Sequence, residues 1–523
     1  MAHTLQIIYG STTINLTSGD YILLDYVPEA GKGGIVTERI RLFIKSSSAA
    51  NFQTAIENIE RALRNAESRY DTGVGDKVYI KFQPDSLSTL YRSEIVRRSE
   101  SEDAGSIEGP KRLLGAIWAT KSGEFLLIFT RRDYWEANTE TTLTIENQSG
   151  SGTSVTIKNP MGGEAFSNNT VSFTAPDTIA DSGSGFGVFS AGDIISLRGS
   201  TSNDGIYTIA TASSTTLTVY EETVVNEAAG DAIKIYYVQN YVDISSSNIG
   251  GTEPTPIKLK VTNTDAGADL ETVWVGMNRL ATPLQFGYML EVEDCTGGSN
   301  TVDAGASSLI YRAYNVLSGS ASALCTWTLP SGMLNAARGA YVRAIMRFWD
   351  GTDITNCRYA LKIYYDTNIL WESGWFQFDD TYEAISRLWR EFATFQLPPF
   401  RLEGGTPTDL TLKLWSQSVS GSDETINLDV LQMVVLDGWR KFVCLDGIAQ
   451  NSILVDDGID ETFYQEISGE QVNNLVAEGS PLMLMPNQNH RIQFTQHSIT
   501  ANTADIDRTA SVTVIYRPRI RTF

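Results

Sequence analysis

Paired carboxylates, clustered tryptophans, histidines and thiols are the side chains in this sequence with the chemistry to hold a ligand. Glu291 and Glu293 stand two residues apart in Tyr288-Met-Leu-Glu-Val-Glu-Asp294. In an extended strand that spacing turns both carboxylates to one face, and adjacent anionic oxygens suit Ca²⁺. A solvated strand face accounts for the same pair equally well. Seven of the 10 tryptophans lie between Tyr288 and Phe442, and aromatic faces stack on the CH groups of sugars. Trp371 and Trp375 are the pair expected to be exposed, because Glu372-Ser-Gly374 between them reads as a turn. For any single tryptophan, a place in a core is the competing reading.

Catalysis finds little support. The histidines, His3, His490 and His497, have no triad-like or ligand-like partner in the sequence. Carboxylates are so abundant that spacing alone does not separate a glycosidase pair from surface acid. No phosphate-cradling glycine loop precedes a helix, and the chain is read as not an enzyme. Cys295, Cys325, Cys357 and Cys444 show neither metal-ligand nor disulfide-framework spacing. Reduced, buried thiols are the expectation, with a Cys295–Cys444 bridge as the alternative.

A chain of 523 residues has room for three or four domains. Its hydrophobic fraction of 42% is that of a globular protein able to bury substantial cores. The net charge of −22 argues against nucleic-acid recognition, which needs a basic face. An acidic surface can still line a channel through which DNA slides without sticking. MAHTLQIIYG lacks a charged leader and a long apolar run, so no secretion signal is expected, and no stretch reaches membrane-spanning length.

One segment must position much of the first module. Ser46–Tyr70 carries Phe52, Ala55, Ile56, Ile59, Ala62, Leu63 and Ala66 at helical spacing, with Ser48 as N-cap. Glu57/Arg61 and Glu60/Arg64 are expected (i, i+4) pairs on its outer side. Glu38–Lys45 before it and Lys77–Phe82 after it alternate as strands, so the helix packs across a sheet through Phe52, Ile56, Ile59 and Leu63. A polar loop is expected at Ser99–Gly109 and a hairpin from Lys111–Thr120 to Glu124–Arg131. Linkers are read at Asn147–Ser154 and Ser245–Pro256. Between them lies a small β unit, with Asn203-Asp-Gly205 as a hairpin turn. From Tyr288 to Phe442 the strands are numerous enough for a sandwich or jelly roll. Arg517, Arg519 and Arg521 are too few for nucleic-acid recognition and are read as interface or surface.

Ile40-Arg-Leu-Phe-Ile44, Ala49–Ile56 and Ile59–Leu63 resemble the N-terminal domain of siphophage distal tail proteins, a domain related in fold to tail tubes. Pro486–Asn489 and Ala510–Pro518 resemble that family's C-terminal run, with Asn487 and Gln488 replacing its usual Pro-Gly-x-Asn turn. Gly192-Asp193, Asn203-Asp-Gly205 and Gly230-Asp231 are similar to small β domains inserted in phage tail proteins. Tyr288–Asp294 resembles the opening strand of a carbohydrate-binding jelly roll. In calcium-dependent members an acid on the last strand completes the site, and Asp429 would join Glu291 and Glu293 in holding a structural ion.

The resemblance implies a mainly β, multi-domain chain with four parts. Residues 1–150 would be a tail-tube-like sandwich with one helix, and 160–245 a small β insertion. A discontinuous β domain would comprise 257–287 plus 443–523, interrupted by a jelly roll at 288–442. It further implies a virion protein assembled in the host cytoplasm, a homohexameric ring at the tail tip. Its partners would be the tail tube protein and tail hub and tip proteins, with DNA as passing cargo, no membrane, and host surface glycan as a ligand. A receptor-binding or minor tail protein, or a lectin without a ring role, is the second expectation. A depolymerase is the third.

Overall fold

The structure is a computed structural model. It describes the chain except residues 1–3, 31–33, 86, 99–106, 109–120, 148–151, 158–163, 221–222, 238–239, 268, 281–286, 304–305, 307–309, 330–338, 350–353, 379–388, 398–409 and 498–507. The fold is mainly β, multi-domain and sandwich-like, with one α-helix among the described residues, as composition and alternation imply. No helix among those residues is long and apolar enough to cross a membrane.

The first module is an antiparallel sheet ordered Thr12–Asn15, Thr4–Tyr9, Val78–Gln83, Tyr91–Arg98, Ser122–Arg132, Ile35–Lys45 and Tyr21–Asp25. Ile35–Lys45 and Ser122–Arg132 pair over their full lengths, from Ile35 opposite Arg132 to Lys45 opposite Ser122. The period-2 pattern of Ile40, Leu42 and Ile44 puts all three out of solvent on the helix side. The helix spans Ala49–Thr72 and buries the seven residues its spacing selects. Ser48 Oγ accepts from the Asn51 N–H at 3.1 Å, and Gly73 at φ 71° stops the helix, donating its N–H to the Arg69 carbonyl. Glu60 and Arg64 pair at 3.2 Å, whereas Glu57 accepts from Gln53 in place of Arg61. Most of the expected polar loop at Ser99–Gly109, and the Lys111–Thr120 arm of the expected hairpin, lie outside the described residues.

The first module does not run to residue 150. Thr141–Thr142 and Ser154–Ile157 pair with Arg508–Tyr516, and Glu146–Asn147 pairs with Asn240–Ile244. Leu143, Ile145 and Val155 are therefore buried in the discontinuous domain together with Val261, Val275, Phe494 and Val514. That domain is a two-sheet sandwich drawing strands from three stretches, between Thr141 and Ile157, Asn240 and Arg279, and Gly438 and Tyr516. It is interrupted twice, once by the small β unit and once by the jelly roll. The N-terminal strands are not part of the sequence expectation for this domain. They are short, and two-residue strands carry no readable periodicity.

Ser245–Pro256 is likewise not a free linker. Its Ser246–Asn248 turn packs on the sandwich, Tyr516 Oη accepts from the Gly250 N–H at 2.7 Å, and Thr255–Asn263 is already a central strand.

His490 shows how tightly this sandwich is closed. It is fully buried, and its Nε2 accepts the Met485 N–H at 3.0 Å, so the ring must stay neutral. Burial lowers its pKa to about 4, with Arg279 acting in the same direction and the Gln488 backbone and Asp437 opposing. The unfolded chain therefore binds the extra proton between the ordinary value of 6.5 and 4. Stability held above pH 6.5 is lost as pH falls toward 4, by about 3 kcal/mol from this residue. Denaturant unfolding of the sandwich at several pH values checks this. His490→Gln should flatten the acid limb of the profile by one proton.

The insertion between Glu164 and Tyr237 is a seven-stranded antiparallel unit with its own core, including Phe186, Ile195, Ile209 and Ile233. Its Gly-Asp and Asn-x-Gly positions are structural. Asp193 accepts from the Ser190 N–H and the Tyr241 hydroxyl at 2.7 and 2.8 Å, and Asn203 exchanges hydrogen bonds with the Val225 backbone.

The jelly-roll region is two antiparallel sheets. One is ordered Ser299–Val302, Ile310–Val316, Glu424–Leu436, Tyr341–Phe348 and Trp389–Gln396, with Gly287–Glu291 also on Glu424–Leu436. The other is ordered Ser322–Thr328, Leu410–Ser418, Cys357–Tyr365 and Asn368–Glu372, with Phe376–Gln377 also on Cys357–Tyr365. Leu361, Ile363, Leu412, Leu414, Leu428 and Met433 meet between them. All four cysteines are free and buried. Cys295 and Cys444 belong to different cores, which rules out the bridge considered between them.

Candidate ligand-binding face

The carboxylates singled out for calcium are not assembled as a metal site. The strand Gly287–Glu291 ends at Glu291, and a 3₁₀ turn, Val292–Asp294, carries Glu293 away from the strand's alternation. Asp429 is fully buried and accepts from Arg347 Nη1 at 2.9 Å. A second guanidinium approaches from the insertion: burial and the like charge of Arg347 push the Arg198 pKa down to about 10, while Asp429 and Glu291 oppose that shift. Among the described residues no group of three or more His, Cys, Asp or Glu is placed to hold a metal ion. Two arginines supply the positive charge that the sequence expectation assigned to Ca²⁺. Arg347 lies 82 residues from Asp429 in sequence and Arg198 belongs to another unit, separations that local spacing cannot see.

The two tryptophans part company. Trp371 is stacked on Phe395, with ring centroids 4.3 Å apart, and packs against the jelly-roll core. It is half-buried against that core, and not the exposed ring expected of it. Trp375 is 39% exposed and lies on the opposite, outer side of the same sheet. Strand alternation explains what surrounds it. Tyr359, Leu361 and Ile363 point inward, so Arg358, Lys362 and Tyr364 point outward, as do Lys413, Trp415 and Gln417 from the neighbouring strand.

These outer residues form a connected aromatic and cationic surface. Arg358 lies 4.8 Å from the Trp375 ring, and Lys362 lies 5.8 Å from Trp375 and 5.4 Å from Trp415. Lys413 sits 4.4 Å over Tyr364. Gln417 holds Arg358 by accepting from its Nε at 3.2 Å, and Ala360 opposite Trp415 keeps the floor low. Flat rings flanked by hydrogen-bonding cations are the elements of a polar-polymer binding surface. Sequence reasoning found Trp375 from its turn. It missed Trp415, Arg358, Lys362 and Lys413: even spacing puts Arg358 with Lys362 and Lys413 with Trp415 on one face of each strand, but that the two strands adjoin is decided by their pairing.

The sequence matches no protein-family profile and no curated protein. Among solved structures, the chain is similar to the VP2 subviral particle of infectious bursal disease virus, at 7% identity and TM-score 0.19, over 68% of this chain and 82% of that one. A chain of the phage P2 baseplate in its activated conformation with Ca is matched at 8% identity and TM-score 0.19, over 45% of this chain and 98% of that one. The insecticidal delta-endotoxin Cry8Ea1 of Bacillus thuringiensis is matched at 9% identity and TM-score 0.17, over 57% of this chain and 53% of that one. Likeness at these scores carries no argument about role.

A cleft of about 680 Å³ lies between the jelly roll and the sandwich, lined by Met277, Tyr341, Trp439 and Met483 among others. Its acid and base, Asp437 and Arg279, pair with each other at 3.1 Å. Of the histidines, His490 is committed to the Met485 backbone, and His3 lies outside the described residues.

The C-terminal arginines are also committed within the chain. Arg517 pairs with Glu140 at 3.3 Å, Arg519 with Glu136 at 3.3 Å, and Arg521 with Glu253 at 2.8 Å.

Proposed function

We propose that this chain is a structural protein of a virion, of the distal-tail type. In this reading its N-terminal module forms a homohexameric ring joining the tail tube to hub and tip proteins, with DNA passing through as cargo. The jelly roll projects outward and contacts host surface glycan. One observation carries the reading: the last strand returns to the first module. Arg519–Ile520 pairs with Trp135–Ala137 of that module, and the Phe523 ring lies 5.3 Å from both Phe82 and Trp135. The two interrupting units leave and return through the sandwich, so neither breaks the closed module. An architecture of that kind lets binding domains vary around a constant assembly body. The net charge of −22 suits a channel that must not hold DNA.

A receptor-binding or lectin-like protein with no ring is the second reading, favoured by the aromatic and cationic face alone. Sedimentation velocity of the purified full chain separates the two. A species of about six chains is expected for the ring. A monomer that stays monomeric at high concentration sinks it.

A further inference from the structure

We infer that the outer face of the sheet holding Cys357–Tyr365 and Leu410–Ser418 binds a polysaccharide carrying anionic groups, carboxylate or phosphate. The inference deepens the glycan-binding part of the proposed function and rests on it. Its ground is a charge arrangement that neutral sugar binding does not require.

Lys362 and Lys413 are directly opposed cross-strand partners on that face. Like charges in this position work against the sheet. Among the described residues only one of the two is compensated: Glu372, on the other flank of Lys362, pairs with it at 3.0 Å. Among the described residues Lys413 meets only the Tyr364 ring, and Arg358 is held through Nε and Nη2 by the neutral Gln417 oxygen and lies over the Trp375 ring. The face therefore presents the Lys413 ammonium, and Arg358 through the Nη1 side that Gln417 leaves open, separated by Trp415 and Lys362. A chain with 62 acids and 40 bases has had ample opportunity to neutralise them. The cations elsewhere that are paired, such as Arg131, Arg440 and Arg491, are taken by carboxylates of the chain.

The geometry fits an extended acidic polymer. Trp375 is exposed and offers one sugar-stacking surface, while Arg358, Lys362 and Lys413 lie along two adjacent strands beside it. Arg358, fixed through Nε and Nη2 on Gln417, keeps Nη1 for an anionic oxygen, and Lys413 acts as a point charge. The acidic remainder of the molecule repels polyanions in general, so attraction is confined to a ligand that also satisfies the aromatic platform.

The test is affinity electrophoresis of the full chain in gels containing polygalacturonate, poly(glycerol phosphate) or the neutral polymer dextran, with a single-stranded oligonucleotide as a further ligand in solution. Retardation by an acidic polysaccharide but not by dextran is expected, weakening as salt is raised. Which acidic polymer retards the chain identifies carboxylate or phosphate as the group read. Lys413→Glu should weaken binding about tenfold, and Trp375→Ala by a comparable factor. Glu372→Gln, which frees Lys362, should strengthen it about two- to fivefold, a gain no unfolded variant can mimic. Equal binding of dextran, unmoved by Lys413→Glu, overturns the anionic inference and leaves glycan binding standing. Binding to none of the polysaccharides overturns both. Preference for the oligonucleotide over every polysaccharide overturns the inference as well.

Discussion

Asp429→Ala is expected to destabilise the jelly roll by about 3–5 kcal/mol, among the largest effects any single substitution should have here. The carboxylate is completely buried and bonded to Arg347, with Arg198 of the inserted unit close enough to feel its charge. Removing it leaves guanidinium charge in a largely buried site without its carboxylate. Breaking one partner of a buried pair costs far more than the pair contributes, because the survivor keeps its full desolvation penalty. Asp429→Asn should cost less, since the amide oxygen still accepts from Arg347. Calorimetry of the full chain checks the ranking: the jelly-roll transition should be highest in the unsubstituted protein, lower in Asp429→Asn and lowest in Asp429→Ala. Addition of calcium or of a chelator should leave that transition in place, because arginine already supplies the positive charge. A calcium-dependent rise would restore the metal reading.

Phe52→Ala is the second large effect, at about 3–5 kcal/mol of the N-terminal module's stability. Phe52 is fully buried between helix and sheet, its ring tilted 6.0 Å from Phe125. Truncation removes its apolar burial and leaves a cavity in a core that also holds Ile59, Leu63 and Ile40. A fall of about 10 °C in that module's transition is expected by calorimetry. The same variant should lose assembly before it loses glycan binding, because the jelly roll has its own separate core. Loss of both together, with the jelly-roll transition unchanged, would contradict that separation.

The two variants mark what could be read from sequence. Phe52, Ile56, Ile59 and Leu63 were legible because a 24-residue helix repeats its signal over many turns, and the structure buries all four. Long strands such as Ile35–Lys45 were legible for the same reason at period 2. What sequence could not show depended on partners distant along the chain. Arg198 reaching Asp429 from another unit, Trp371 turning to Phe395, and Thr141–Thr142 joining Arg508–Tyr516 are all decided by tertiary pairing. Glu293 failed for a local reason, since a strand that stops early discards the alternation on which the pair depended. The candidate face was half visible. The turn exposed Trp375, but the cations around it emerge only when Cys357–Tyr365 and Leu410–Ser418 are placed side by side in register.

Negative-stain micrographs of the purified full chain test the ring most directly. The expected result is an annular particle with a central opening and about six outward lobes, the lobes being the jelly rolls on a closed body. Particles the size of one chain, with no annulus at any protein concentration, would contradict it.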